Sequence, residues 1–286
     1  MQRTPFGRQP PFTRDERVFQ RWFVVLSAVT VLLGTVAMVA TGASSGLWLR
    51  NPACWVVALA MCAGLVRLRL PPAWVPGMLV VVLAGSLVGP GQDGVHRWLG
   101  IGPVQVNVAA LIMPFVVVLA ARRARHKHYV PYAVSMLAMA AILARQPDMS
   151  QLGALVAALL LWAAVQRKMR ALVCMVPIAV AILVACAGVP DPLAPVPYVE
   201  KILDLAWSVS PALALFCGVS LLLTSLSPLI LAGDTERRPG AVALSAYFVV
   251  SGVAWLFGFF PVPLAGYGLG FVLGWMFGAA ALVARD

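Results

Sequence analysis

Charged side chains are scarce in this sequence. They form 11% of its 286 residues, while hydrophobic side chains form 62%. Soluble domains have about a quarter of their residues charged, so this composition excludes an ordinary soluble protein. A helical membrane crossing needs roughly 20 apolar residues. The chain therefore has room for about ten crossings and none for a separate soluble catalytic domain.

Paired cysteines and intramembrane acids are also lacking. All five cysteines lie in apolar segments and form no Cys-x-x-Cys pair, which argues against a disulfide framework and a zinc site. The predicted spans have no acid near their middle. A transporter driven by an intramembrane proton or ion relay is therefore disfavoured.

Ten apolar segments predict an all-α fold, a polytopic inner-membrane helix bundle of about ten transmembrane helices. Residues 1–21 contain five arginines and three prolines, so we expect a basic cytoplasmic tail there and a ten-span membrane domain over 22–286. The predicted spans are residues 22–41, 54–66, 74–89, 106–121, 129–144, 152–165, 171–188, 205–223, 241–260 and 264–284.

The distribution of basic residues predicts the orientation. Lys and Arg accumulate in cytoplasmic loops. With the N-terminus inside, the cytoplasmic loops hold all but four of the 21 Lys and Arg residues. Both termini are then cytoplasmic. The basic run over residues 122–128 fits this topological role and attraction to anionic lipids, and no nucleic-acid partner is expected. The four basic residues outside are Arg50, Arg97, Arg145 and Lys201.

Two outer loops contain candidate binding residues. In the loop over residues 89–105, Trp98 suits the headgroup level and the Arg97 guanidinium suits phosphate oxygens. The alternative is that Trp98 is only an interfacial anchor and that the Arg97 side chain extends towards water. In the next outer loop, Asp148 either lines a functional cavity or only caps the start of a helix.

A third outer loop has four prolines over residues 189–204, followed by two acids. Glu200 and Asp204 are four residues apart and would share a helix face. They would serve as a base and a metal ligand, or only begin a solvated helix with Lys201 as the counter-charge. The last linker, residues 259–270, has small residues and predicts a turn with a packing face.

In their order along the chain, these segments resemble the FtsW/RodA (shape, elongation, division and sporulation) family of peptidoglycan polymerases. The match covers nearly the whole membrane domain. Gly94-Val95-His96-Arg97-Trp98-Leu99 with Gln105 is similar to the family's motif before its fourth span, and Gln146-Pro147-Asp148 to the one before its sixth. Pro261-Val262-Pro263-Leu264-Ala265-Gly266-Tyr267-Gly268 resembles the motif that leads into the tenth.

The resemblance implies a bacterial inner-membrane protein of cell-wall synthesis, cell division or cell shape that handles lipid II. It implies that Asp204, or less favourably Glu200, acts as the catalytic acid, and that Arg97, Trp98, Gln105 and Asp148 bind substrate. A divalent cation, Mg²⁺ or Mn²⁺, would assist an active enzyme. The implied protein partner is a class B penicillin-binding transpeptidase with one membrane helix, and Pro263, Tyr267 and Gly268 form a structural motif.

Three departures from the family pattern bear on activity. Val106-Asn107-Val108 replaces the family's Pro-Ser-Glu, the family's following lysine is absent, and the acidic outer loop is only about fifteen residues long. Losing one electrostatic group costs on the order of 10² to 10³ in rate. We therefore expect a divergent member with weak or no glycosyltransferase activity. A non-catalytic scaffold for the transpeptidase and a lipid-precursor transporter are the alternatives.

Overall fold

The computed structural model of the chain describes residues 12–68, 70–71, 74–89, 91–102, 104–123, 129–168, 181, 184, 192–258 and 260–285. Nearly all of the predicted seventh span, residues 171–188, lies outside this set. The described residues form helices and one two-stranded sheet. The elements in chain order are α1 (Arg14–Ala40), α2 (Ser45–Trp48), α3 (Arg50–Leu65), α4 (Val75–Gly85), β1 (Trp98–Ile101), β2 (Val104–Asn107), α5 (Val108–Arg123), α6 (Tyr129–Arg145), α7 (Met149–Val165), α8 (Ile202–Val209), α9 (Pro211–Leu226), α10 (Arg238–Val253) and α11 (Leu269–Val283).

The predicted helical membrane fold is confirmed. Four segments are long and apolar enough to cross a membrane, namely Arg14–Ala40, Ser45–Leu65, Pro211–Gly233 and Arg238–Phe257. Shorter apolar helices pack beside them, at Val75–Val88, Pro131–Arg145, Met149–Val165 and Leu269–Val283. Helices shielded by neighbours in this way need not each expose a full-length apolar surface to lipid.

The first helix begins earlier than the hydrophobic pattern indicates. It starts at Arg14, within the predicted tail, because Thr13 and Glu16 form a capping box. The Thr13 hydroxyl accepts from the Glu16 amide at 3.2 Å, and the Glu16 carboxylate accepts from the Thr13 amide at 2.7 Å. These bonds satisfy two amide donors that a helix start otherwise leaves unpaired.

The predicted eighth span, residues 205–223, is divided in the structure. The short helix α8 ends at Val209, Ser210 is extended, and α9 starts at Pro211. Proline fits the first turn of a helix but interrupts a helix interior, which explains the break. A 3₁₀ segment then continues the span from Ser227 to Gly233.

A β-hairpin occupies the end of the predicted loop over residues 89–105 and takes in the first two residues of the predicted fourth span, so that α5 begins at Val108. Strands β1 and β2 pair antiparallel, with Trp98 opposite Asn107. A second tight turn precedes them, where Asp93 and Gly94 have φ of 48° and 81° between the bridged residues Gln92 and Val95. Positive φ at both central residues is the signature of the Asp-Gly hairpin turn. The described residues of the loop thus form two successive turns of chain with paired backbone groups.

Helix α11 packs closely against α5 because it presents a glycine at every fourth position. A Cβ atom on Gly274 would lie 1.9 Å from the Ala110 carbonyl oxygen, and one on Gly278 would lie 2.7 Å from Pro114. Gly270 approaches Asn107 in the same way. Small residues at this spacing let two membrane helices bring their backbones together.

Helix ends from distant parts of the sequence meet at one end of the bundle. The Arg237 guanidinium pairs with the Glu16 carboxylate and donates to the Leu282 carbonyl at 2.6 Å. Arg122 donates to Ala281 and Ala284 at 2.9 and 2.7 Å. The start of α1 and the end of α11 therefore lie on the same side, together with basic residues that charge bias assigns to the cytoplasm. Which side of the membrane this is stays a prediction.

Candidate functional site

Arg97 joins two of the motifs that the sequence singles out. Its Nε donates to the Gln146 carbonyl at 2.8 Å, and its Nη2 donates to the Pro147 carbonyl at 2.7 Å. The side chain is only 9% exposed. Both of these acceptors are backbone carbonyl oxygens of the Gln-Pro-Asp turn. Arg97 therefore fixes that turn against the loop that precedes α5.

The Gln-Pro-Asp turn is itself buried and well bonded. Asp148 is 6% exposed, and its Oδ1 accepts from the Ser150 hydroxyl at 3.0 Å and from the Gln151 amide at 3.3 Å. It caps the N-terminus of α7, as one of the sequence interpretations expects. The Gln146 side chain donates to the Ser86 hydroxyl at 2.6 Å, while its buried Oε1 has no hydrogen-bond partner among the described residues. That orphan acceptor marks a polar position inside the bundle.

The other two candidate residues of this loop lie on the two strands of the hairpin. Gln105 is exposed on β2, and its Oε1 accepts from Gln92 at 3.1 Å. Trp98 is half-buried on β1. Trp98 pairs with Asn107 and Gln105 with Gly100 in the register of the hairpin. Their predicted substrate-binding role stays a prediction.

Asn51 forms hydrogen bonds that hold the motif before α11, residues 261–268. The Asn51 amide donates to the Gly266 carbonyl at 2.7 Å and accepts from the Gly268 amide at 3.2 Å, and the residue is 1% exposed. The Tyr267 amide donates to the Tyr198 carbonyl at 2.7 Å. Pro263 lies in the same turn. The motif therefore orders the segment that leads directly to Glu200 and Asp204.

The two candidate acids differ in their surroundings. Glu200 is half-buried, and its Oε2 accepts from the Val196 amide at 2.6 Å, which closes the turn before α8. Asp204 is exposed in the first turn of α8. The geometry favours Asp204 over Glu200 as an accessible carboxylate, in the order that the sequence predicts.

Asp204 lies at the edge of an apolar groove between α8, α9 and α10. The groove has a volume of about 410 Å³. It is lined mainly by apolar side chains and small residues, and Asp204 is the only ionisable group among the described lining residues. The lining includes Leu203, Trp207, Leu215, Gly218, Leu222 and Trp255. An apolar chain with a polar head is the kind of molecule that such a surface fits.

The expected divalent cation has no protein cage within the described residues. No three His, Cys, Asp or Glu side chains lie together in that part of the chain. Mg²⁺ is commonly held by one or two carboxylates together with substrate phosphates. A cation at Asp204 would need such phosphates to complete its ligands.

The three motifs and the acidic segment meet at one end of the bundle. Arg97 contacts Gln146 and Pro147, Gly270 approaches Asn107 of the hairpin, and Tyr267 bonds to Tyr198. This end is opposite the Arg237 and Arg122 contacts. Such a convergence of segments far apart in sequence defines a vestibule at this end of the bundle, and Asp204 lies six residues after Tyr198 in the segment bonded to it.

Comparison with solved structures identifies the fold. The rod shape determining protein RodA of Thermus thermophilus aligns over 91% of this chain and 94% of its own, with a TM-score of 0.67 and 19% identity. An Asp-to-Ala mutant of that protein gives a TM-score of 0.69 with the same identity and coverage. The chain has the RodA fold. The resemblance predicted from the motifs is thereby confirmed at the level of fold.

A further structural neighbour comes from a peptidoglycan synthase complex that coordinates polymerization and crosslinking. It aligns over 91% of this chain and 95% of its own, with a TM-score of 0.61 and 20% identity. No protein-family model and no curated sequence matches the chain. The similarity to these solved structures is therefore one of fold, at 19% to 20% sequence identity.

Sequence reasoning missed Asn51 and Arg50 as parts of this site. Arg50 donates to the Tyr267 hydroxyl at 2.8 Å and lies 5.7 Å from the centre of its ring. Asn51 appears in the sequence as one polar residue at the start of an apolar run. The signal available was its position beside an outer Arg, and nothing local indicates that it bonds to a loop more than 200 residues away.

Proposed function

We propose that this protein is a divergent FtsW/RodA-type protein of bacterial cell-wall synthesis. It binds lipid II at the outer face of the cytoplasmic membrane and has weak peptidoglycan glycosyltransferase activity. The observation on which this depends is the exposed Asp204 carboxylate at the edge of an apolar groove. The RodA fold supports the same assignment.

The groove suits the two chemical parts of a polyprenyl-linked sugar. Its leucines and tryptophans would contact the hydrocarbon chain, because apolar surface gains free energy when it is removed from water. The sugars and diphosphate would then lie near Asp204, at the end where the groove meets the vestibule. In the chemistry proposed, the Asp204 carboxylate accepts the proton of the acceptor sugar hydroxyl as that oxygen attacks the anomeric carbon of the donor.

Arg97 would stabilise the negative charge of the departing diphosphate mainly through long-range electrostatic attraction. Its Nε and Nη2 are already used by backbone carbonyls, so the guanidinium does not present its full fork to a ligand. A charge held in a low-dielectric interior nevertheless acts over a longer range than one in water. Trp98, Gln105 and Asp148 would border the same vestibule. Stabilisation of the leaving group by the Arg97 guanidinium without direct contact is consistent with slow catalysis.

A non-catalytic scaffold is the second candidate, and the bonding of Arg97 favours it. Because Arg97, Gln146 and Pro147 form a packing unit, the motifs are explained by fold maintenance alone. In this alternative the chain docks a single-span, class B penicillin-binding transpeptidase. The structural neighbour from a complex for polymerization and crosslinking supports a partner of that class.

A polymerisation assay separates the two candidates. Purified protein is given fluorescent lipid II with Mg²⁺ or Mn²⁺, with and without a class B transpeptidase, and glycan products are resolved by gel electrophoresis. We expect slow chain formation that Asp204→Asn abolishes. Glu236→Gln, an exposed acid at the opposite end, is the matched control. Lipid II binding without product would favour the scaffold, and the absence of both product and binding would refute lipid II handling.

A further inference from the structure

A second apolar groove lies at the end of the bundle opposite the vestibule. It runs between α1, α3 and α11, with a volume of about 320 Å³. Small side chains on α3 and α11, including Ala63, Ala279 and Ala280, leave space that Phe19 and Phe23 of α1 border from the other side. We call this feature the Arg67 groove, because Arg67 also lines it.

The length of the Arg67 groove matches one leaflet of a bilayer. Its lining begins at Phe12, just before α1, and extends along α1 to Val24; the helical part from Arg14 to Val24 rises about 15 Å at 1.5 Å per residue. Half of the hydrocarbon core of a bilayer is about 15 Å thick. The groove therefore reaches from the interface to about the middle of the membrane, as a lipid acyl chain does.

The charge at its polar end is positive. Arg67 is exposed, follows the last turn of α3 and is the only ionisable side chain among the described residues that line the groove. Of the nearby acids, Glu16 is buried against Arg237 and does not face the groove. A phosphate at this position would meet a guanidinium with no competing carboxylate in the lining.

We propose that the Arg67 groove is a binding site for an anionic phospholipid of the leaflet on that side. One acyl chain occupies the apolar floor and the headgroup phosphate accepts hydrogen bonds from Arg67. The site is separate from the Asp204 groove, and it does not depend on the proposed function. Binding there fills the gap between α1 and α11, the helices whose ends Arg237 joins through Glu16 and Leu282.

The test measures which lipid the full-length protein retains. Protein reconstituted in nanodiscs of phosphatidylcholine with a minor fraction of phosphatidylglycerol is extracted in mild detergent, and bound lipid is quantified by mass spectrometry. We expect enrichment of phosphatidylglycerol that Arg67→Gln lowers about fivefold, the effect of one basic residue near an anionic surface. Arg21→Gln is the control, because Arg21 is exposed on α1 but does not line the groove.

A second pair of variants tests the acyl-chain site without touching the charge. Ala63→Phe fills the groove from an exposed position on α3 and should abolish retention of phosphatidylglycerol. Val57→Phe adds a similar apolar volume at an exposed position of the same helix outside the groove, and should leave retention unchanged. Equal losses in Arg67→Gln and Arg21→Gln, or full retention in Ala63→Phe, would overturn the proposal.

Discussion

The Nε atom of Arg97 donates a 2.8 Å hydrogen bond to the carbonyl oxygen of Gln146. This bond joins the loop between α4 and α5 to the turn between α6 and α7. Because the acceptor is a backbone carbonyl, this hydrogen bond can hold the turn whichever side chain is present at position 146. The vestibule is thus held together in part by a side chain that the sequence suggests for phosphate binding.

The first prediction concerns the geometry of this contact. Arg97→Lys keeps the charge but loses the planar fork that reaches the carbonyls of Gln146 and Pro147 together. We expect a loss of about 2 kcal/mol in the free energy of unfolding, because a hydrogen bond to a charged group contributes about 1.5–3 kcal/mol. Thermal melting in detergent measures it.

Arg145→Lys is the matched control for that prediction, since Arg145 is exposed at the end of α6. It should change stability by less than about 0.5 kcal/mol. Normal melting of Arg97→Lys combined with lost lipid II binding would show that the guanidinium acts on substrate and not on the fold.

The second prediction tests the close approach of α11 to α5. Gly274→Ala would place a Cβ atom 1.9 Å from the Ala110 carbonyl oxygen, so the helices must separate. Overpacking of this kind costs about 1–3 kcal/mol. We expect a lower melting temperature and a lower yield of folded protein, measured by fluorescence-detected size exclusion.

Gly77→Ala in α4 is the control for the glycine substitution. Nothing lies within 4 Å of the Cβ position there. Alanine is the better helix former by about 0.5–1 kcal/mol, so Gly77→Ala should be neutral or slightly stabilising. Equal melting of the two variants would contradict the close packing of α5 and α11.

The sequence predicts the helical architecture well because hydrocarbon imposes a simple length and composition rule. The bounds of individual helices are predicted wrongly where a proline or a capping hydrogen bond sets the end of the helix. Pro211 ends α8 inside a continuous apolar run, and the capping box at Thr13 starts α1 among charged residues. Both signals are local, and capping rules applied to the polar tail and proline rules applied inside the apolar segments would find them.

The candidate site is less predictable because its key contacts are to backbone. The motifs indicate Arg97 and Tyr267, but the partners of Arg97 are carbonyl oxygens, which every residue has. Asn51 bonds to Gly266 and Gly268, which are over 200 residues away. No spacing rule connects such groups. Only the packing of α3 beside α11 brings them together.

The third prediction concerns the pair between Glu16 and Arg237. Both side chains are largely buried, and removing Glu16 leaves the Arg237 guanidinium with the longer contact to the more exposed Asp234 at 3.6 Å, which compensates its charge incompletely. Glu16→Gln should therefore cost about 3 kcal/mol in unfolding free energy. Asp15→Asn, an exposed acid one residue earlier, should cost less than about 0.5 kcal/mol.

A double-mutant cycle assigns that loss to the pair. Glu16→Gln combined with Arg237→Gln should recover part of the stability lost in either single variant, because neither buried charge of the pair is then left without the other. Strictly additive losses, measured by chemical unfolding in detergent, would mean that the two side chains act independently and that the ends of α1 and α11 are joined by other contacts.

The last prediction concerns the orientation of the bundle in the membrane. The vestibule and the end around Arg237 are opposite, and the bias of basic residues places the vestibule outside. Ser208 is exposed on α8 near Asp204, and Glu236 is exposed near Arg237.

In intact bacterial cells, a membrane-impermeant maleimide should label Ser208→Cys and should label Glu236→Cys only after permeabilisation. The native cysteines described, Cys54, Cys62 and Cys217, are buried or half-buried, so the unsubstituted protein gives the background. Labelling of Glu236→Cys from outside would invert the topology, and with it the assignment of Arg97 and Asp204 to the compartment where cell wall is assembled.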